Sequence, residues 1–123
     1  MKKRISTASA KAKGRSLQQW VCQKISELTG FPWGKDCPIE SRGMGQSGVD
    51  VRLELKVKRC FPFSVECKFQ ESWSVPAWIV QARENEVPHT DWLLIARRSR
   101  ERAIIIMDAE RFFALLKKGL KTP

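Results

Sequence analysis

Three residues of types that act on phosphate groups stand at suggestive spacings: Asp50, Glu66 and Lys68. From Val49 to Leu55, apolar residues alternate with polar ones, which is the period of a β-strand. Glu66 and Lys68 are two residues apart, so they lie on one face of a second extended run. If the two strands pair, Asp50 lies beside Glu66 and Lys68. Two carboxylates and an amine would then converge on a cation site with a water-activating group attached.

The side-chain types suit a divalent metal and a phosphodiester substrate. Asp50 and Glu66 offer hard oxygen ligands, which favour Mg²⁺ or Mn²⁺. Close carboxylates repel one another, and a divalent ion removes that repulsion while it polarises a phosphoryl oxygen. The backbone carbonyl of Cys67 is predicted to complete the coordination. Lys68 can orient a water, help to deprotonate it or stabilise developing charge.

This pattern resembles the signature of the PD-(D/E)XK nuclease superfamily. It consists of Asp50, a spacer and the tripeptide 66–68, Glu-Cys-Lys. The wider runs 41–51 and 61–68 resemble small phage-type nucleases and Holliday-junction resolvases of that superfamily. The resemblance implies an α/β sandwich with a central mixed β-sheet flanked by helices. It also implies a Mg²⁺- or Mn²⁺-dependent DNA endonuclease, selective for branched DNA and acting as a homodimer.

The resemblance also extends to the helices. Ser74 suits an N-cap and Pro76 the first turn, so a helix is predicted from there to about Asn85. A glutamine on this helix faces the active site in the resembled nucleases, and Gln81 matches that place as a supporting catalytic residue.

The first helix is predicted over residues 16–28. Related resolvases often carry a glutamate there as a further metal ligand, whereas this chain has Gln18 and Gln19. Whether one of these or Glu27 takes that role stays open. The apolar stripe of this helix is Leu17, Trp20, Val21, Ile25 and Leu28.

Charge points to a polyanionic partner. The 123 residues include 23 Lys and Arg against 13 Asp and Glu, a net charge of +10. Nucleic acid is the first candidate, and an anionic membrane surface is the second. Nothing resembles a membrane span or signal peptide, so we expect a cytoplasmic protein (of the host cell, if phage-encoded) with no membrane partner. Four cysteines without a CxxC pair predict buried free thiols.

Two segments are predicted to contact DNA. Residues 1–14 form a basic arm that tracks phosphates or acts as a solubilising tail, and residues 15–123 form the single nuclease domain. The run 42–48 has three glycines, which let the backbone approach a phosphate beside Asp50. The predicted contacts are Lys2, Lys3, Arg4, Lys11, Lys13, Arg15, Arg42, Gly45 and Ser47.

The remaining segments are predicted as scaffold. Strands are expected at 39–42, 91–97 and 103–107, and a hairpin at 55–60 joins the two site strands. A last helix begins at Asp108 or Ala109. Its predicted buried face is Phe112, Phe113, Leu115 and Leu116. The predicted core tryptophans are Trp20, Trp78 and Trp92, while Trp33 and Trp73 lie in loops where an indole can pack or stack on a base.

Other functions stay open. A non-catalytic nucleic-acid-binding module on the same fold would use the basic surface alone, and the missing glutamate on the first helix favours it. A general, flap-type or restriction-type nuclease is a further alternative. The sequence does not specify the preferred DNA structure.

Overall fold

The computed structural model describes residues 7–43 and 48–120. Helices and strands alternate along these ranges, so the chain is an α/β protein, as predicted. None of the helices within the described ranges is long and apolar enough to cross a membrane. The elements in order are α1 (Thr7–Thr29), β1 (Ile39–Ser41), β2 (Val51–Leu53), α2 (Leu55–Lys58), β3 (Phe63–Phe69), α3 (Val75–Glu84), β4 (Asp91–Arg97), β5 (Ile104–Ile106) and α4 (Ala109–Gly119).

The described strands form two small sheets. β3 and β4 pair in parallel from Phe63 opposite Asp91 to Phe69 opposite Arg97, with α3 in the crossover between them. β5 pairs antiparallel with the other edge of β4, which makes this sheet mixed, as predicted. β1 and β2 form a separate antiparallel pair.

The larger sheet has an apolar layer on each face. Val65 of β3 and Leu93 of β4 pack with α1 in the main core. Leu94 belongs to a second cluster with Trp78 of α3. Because side chains alternate along a strand, Glu66 points to the α3 face, opposite to Val65.

Helix α1 begins at Thr7, so the predicted start at residue 16 is wrong. The segment 7–13 contains three alanines, which favour helix and extend it through Gly14.

Lys13 is docked on the domain, since its Nζ donates to Ser99 Oγ at 2.8 Å and lies 3.9 Å from Glu71 Oε1. Lys11 also lies on α1, whereas Lys2, Lys3 and Arg4 lie outside the described residues.

The hairpin predicted at residues 55–60 is replaced by the short helix α2. Val57 on this turn is fully buried in the main core, and that burial draws the chain into a helical turn. β2 and β3 consequently belong to different sheets and form no ladder with each other.

The fold buries less apolar surface than the sequence predicts. Trp20 is 43% exposed, and no residue of α4 is buried, although Leu115 packs partly against the main core. A sheet of three strands, with β5 only three residues long, is too narrow to cover these side chains. The predicted core positions that are exposed are Trp20, Leu28, Phe112, Phe113 and Leu116.

The four cysteines are free, as predicted. Cys22 is fully buried, and that burial raises the pKa of its thiol to about 12. Cys60 is exposed, so the prediction of a buried thiol is wrong there, because α2 turns it outward from the core.

Candidate active site

β3 carries two of the predicted catalytic side chains on one face. Glu66 is only 3% exposed, and the side chain of Lys68 is 17% exposed. Lys68 Nζ lies 3.7 Å from Glu66 Oε1. The alternation of the strand therefore holds an ammonium group against a buried carboxylate.

Asp50 reaches the same strand through its backbone and its side chain. Its N–H donates to the carbonyl of Val65 at 3.0 Å. Its Oδ2 accepts a hydrogen bond from the N–H of Cys67 at 2.7 Å. These two bonds bring Asp50 beside Glu66, although β2 itself does not pair with β3.

Both carboxyl groups are costly to ionise in this position. Burial raises the pKa of Asp50, and the Cys67 N–H, Lys68 and Arg42 offset only part of that effect. Burial also raises the pKa of Glu66, and the negative charge of Asp50 raises it further. A partly buried carboxylate whose charge opposes the ionisation of a buried one is a donor set that a divalent cation would relieve.

The main-chain carbonyl of Cys67 faces the edge of β3 next to Asp50. In a strand, the N–H and C=O of one residue point to the same side, and the Cys67 N–H points to Asp50. The thiol packs with the main core, where burial raises its pKa well above the ordinary value. Within the described ranges no three His, Cys, Asp or Glu side chains cluster as a metal site.

Asn85, at the end of α3, is a site residue that the sequence analysis missed. Its Nδ2 donates to Glu66 Oε2 at 3.2 Å. Gln81, one turn earlier, is exposed and forms no side-chain hydrogen bond with the described residues, so its supporting role stays a prediction. The spacing of one turn places both residues on the same side of the helix, and that signal was available in the sequence.

Gln18 supports the segment that leads to Asp50. It is 3% exposed, and its Oε1 accepts a hydrogen bond from Ser41 Oγ at 2.8 Å. The next residue, Arg42, donates its N–H to the carbonyl of Asp50 at 2.9 Å. Glu27, the alternative acid on α1, is exposed and lies 3.7 Å from Lys24.

Only some of the residues predicted to contact DNA lie in the described ranges. Arg15 and Arg42 line one polar groove together with Gly43. Gly45 and Ser47 lie outside the described residues. The sequence matches no protein-family model, and no curated protein and no solved structure matches it.

Proposed function

We propose that the protein is a metal-dependent DNA endonuclease that hydrolyses phosphodiester bonds. The 2.7 Å bond from the Cys67 N–H to Asp50 carries the proposal, because it fixes a second, partly buried carboxylate beside Glu66 and Lys68. The resemblance of these residues to the PD-(D/E)XK signature supports the same assignment. The net charge of +10 suits a polyanionic substrate.

Asp50, Glu66 and the Cys67 carbonyl would hold Mg²⁺ or Mn²⁺. They fit such an ion because they are hard oxygen donors and because the charge of Asp50 raises the pKa of Glu66, a repulsion that a cation removes. When bound, the ion supplies positive charge at a phosphoryl oxygen and acidifies a bound water. Oδ1 of Asp50 has no hydrogen-bond partner among the described residues, so it remains available as a ligand.

Lys68 and Asn85 control the charge and orientation around Glu66. The Lys68 ammonium lies 3.7 Å from Oε1, where it can attract the phosphate and orient the attacking water. Asn85 binds Oε2 and thereby restricts rotation of the carboxylate. Burial of Glu66 keeps both interactions stronger than they would be in bulk water.

We propose further that the enzyme is a homodimer built through α4. Its exposed apolar side chains include Phe112, Phe113 and Leu116, and exposed apolar patches commonly mark interfaces. Glu110 lies near the start of this helix and Lys117 near its end. Antiparallel packing of two copies across a two-fold axis would bring Glu110 of each copy next to Lys117 of the other, so the surface is complementary to itself.

The proposed substrate is branched DNA, with a four-way junction as the best match. Two active sites related by a two-fold axis suit a junction, whose arms have approximate two-fold symmetry. A chain of 123 residues leaves little surface for reading base edges, so DNA shape should dominate recognition.

A non-catalytic DNA-binding module on the same fold is the competing function. The buried Gln18 on α1, in place of a carboxylate, favours it. Incubation with duplex, single-stranded, flap and four-way DNA in Mg²⁺, Mn²⁺ or EDTA separates the two. The nuclease is supported if the wild type cleaves DNA, if EDTA stops that cleavage and if the Asp50→Asn variant does not cleave. DNA binding without cleavage under either metal supports the binding module.

A further inference from the structure

A polar groove of about 310 Å³ lies between the first helix and the segment around Trp33 and Arg42. Arg15 and Gln19 of α1 line one side of it, and Trp33, Lys35 and Arg42 line the other. The volume is at the lower end of the range for small-ligand sites, roughly 300–1,000 Å³. The groove combines cations, an amide and an indole, which is the side-chain composition of single-strand nucleic-acid sites.

Arg42 connects this groove to the active site. It lines the groove, and its N–H donates to the carbonyl of Asp50 at 2.9 Å. Ser41, which also lines the groove, pairs with Val51, the residue that follows Asp50. The main chain of the groove wall is thereby joined directly to the main chain of Asp50.

Trp33 is held on a fixed turn. It forms a β-bridge with Ile39, and the N–H of Gly34 donates to the carbonyl of Ile39 at 2.9 Å. Gly34 has a φ of 136°, which favours glycine at this position. The indole is thus presented by a defined backbone rather than by a loose loop.

The ring of Trp33 is accessible to a ligand. It is 38% exposed and has no aromatic or cation contact among the described residues. By contrast, the ring of Trp73 lies 5.8 Å from that of Trp78 and 4.6 Å from the guanidinium of Arg98. Trp33 is therefore free to stack on a flat ligand.

The groove is lined by three cations and one acid. Arg15, Lys35 and Arg42 form no ion pair within the described part of the chain. Glu40 also lines the groove, but its Oε1 accepts from Arg52 Nη2 at 2.8 Å and its Oε2 accepts from a main-chain N–H. Hydrogen bonds from the Asp36 N–H and from Arg52 lower the pKa of Glu40, and the charge of Lys35 lowers it further. Three cations against one acid leave the groove a net positive charge that suits phosphates.

We propose that this groove binds an unpaired nucleotide of the DNA strand next to the cleaved phosphate. The base stacks on Trp33, and the flanking phosphates lie against Arg15, Lys35 and Arg42. The amide of Gln19 is placed to bond a base edge. The position next to the cleaved phosphate rests on the proposed nuclease function, whereas the stacking can be measured without cleavage. The preferred DNA is then one that offers unpaired bases, such as a flap or an open junction.

The test measures binding in EDTA, so that no cleavage occurs. Single-stranded oligonucleotides carrying one 2-aminopurine, and the same sequences as duplex, are titrated with the wild type, Trp33→Ala and Trp33→Phe. One stacked base corresponds to about 1–3 kcal/mol, so Trp33→Ala should weaken single-strand binding roughly 5- to 150-fold. Stacking also quenches 2-aminopurine, and the alanine variant should remove that quenching. Trp33→Phe should retain most of both effects, and duplex affinity should stay unchanged.

Trp20→Ala is the matched control, because Trp20 is 43% exposed but lines a different groove. It should leave single-strand binding unchanged. An unchanged affinity in Trp33→Ala, or an equal loss on single strand and duplex, would overturn the inference. Trp33-dependent quenching in a protein that never cleaves DNA would uphold the groove and reject the nuclease. If the protein cleaves DNA and Trp33→Ala leaves single-strand binding unaltered, the nuclease is upheld and the groove is rejected.

Discussion

The N–H of Cys67 donates a 2.7 Å hydrogen bond to Oδ2 of Asp50, across 17 residues of chain. The donor belongs to the main chain, so the bond does not depend on the side chain at position 67. That side chain is free to pack with the main core, while the backbone of the same residue orients the carboxylate. One residue of β3 thereby serves the core and the candidate site at once.

Loss of the charged groups should stop cleavage without stopping binding. Asp50→Asn, Glu66→Gln and Lys68→Ala should each lower the rate by at least about 100-fold, because each removes a metal ligand or a stabilising charge. DNA affinity should persist or rise in the two carboxylate variants, because they remove negative charge near phosphate. Glu54→Gln is the matched control, since Glu54 is an exposed acid paired with Lys56. Wild-type cleavage in any one of the three variants would reject the role of that residue.

Asn85 and Gln81 can be separated by single substitutions. Asn85→Ala should lower the cleavage rate about 10- to 100-fold, as expected for a residue that orients a metal ligand. Asn85→Asp should be at least as harmful, because it places a third negative charge against Glu66. Gln81→Ala tests the role assigned by resemblance, and a rate loss larger than that of Asn85→Ala would make Gln81 the more important of the two. Both rates are measured under single-turnover conditions at saturating Mg²⁺.

The two carboxylates should destabilise the metal-free protein at neutral pH. The pKa values of Asp50 and Glu66 are raised in the fold, so folded-state stability falls as pH rises from the ordinary carboxyl range near about 4. Asp50→Asn and Glu66→Gln remove this cost, and each should have a higher Tm than the wild type in EDTA at about pH 7. The difference should vanish at about pH 3, where the carboxyls are protonated in both states. Lower Tm values for both variants at neutral pH would show that Lys68 and the Cys67 N–H outweigh burial.

The basic residues at the N-terminus should act through phosphates. Replacing Lys2, Lys3 and Arg4 with alanine should flatten the slope of log affinity against log salt by about 0.9 for each lost contact on duplex DNA. Lys13→Ala is the comparison, because Lys13 already contacts Ser99. The slopes come from binding titrations at several salt concentrations. An unchanged slope in the triple variant would leave this segment as a solubility tail.

Dimerisation and junction cleavage should be lost together. Phe113→Glu places a charge on the exposed apolar face of α4, so the protein should become monomeric in analytical ultracentrifugation. The wild type should bind a four-way junction more tightly than duplex and nick opposed strands, whereas the variant should give single, unpaired nicks. Val80→Glu on α3 is a control at another exposed apolar residue. A monomeric wild type, or equal affinity for duplex with unpaired nicks, would reject the resolvase function.

Local periodicity was sufficient to predict the positions of two side chains on β3. Glu66 and Lys68 share a face because alternation along a strand is a property of the strand itself. The sequence predicted that pairing of two strands would bring Asp50 beside Glu66 and Lys68. In the structure those strands do not pair, and hydrogen bonds of Asp50 to Val65 and Cys67 hold it against β3 instead. Burial of Val57 determines that residues 55–58 form a helical turn. Such burial against a distant element is not visible in the local sequence pattern.

The same limit explains the errors at Trp20 and on α4. An apolar stripe predicts that a helix has a face to bury, but not that the chain supplies a surface to cover it. The spacing of Asn85 from Gln81 indicated which side of α3 it lies on, but its bond to Glu66, on a different element, was not visible in that spacing. Contacts between elements depend on the length and order of the strands, which composition and spacing leave open.

Asp50 also covers part of the outer edge of β3. An edge strand exposes N–H and C=O groups that can pair with another chain and start aggregation. Here the N–H of Asp50 donates a hydrogen bond to the carbonyl of Val65, and its carboxylate accepts one from the N–H of Cys67. Asp50→Ala would leave the Cys67 N–H open, so it would combine the loss of a metal ligand with a tendency to form intermolecular β-structure. Asp50→Asn keeps an oxygen that can accept from that N–H. It therefore separates the proposed metal binding by this residue from its hydrogen bonding at the sheet edge.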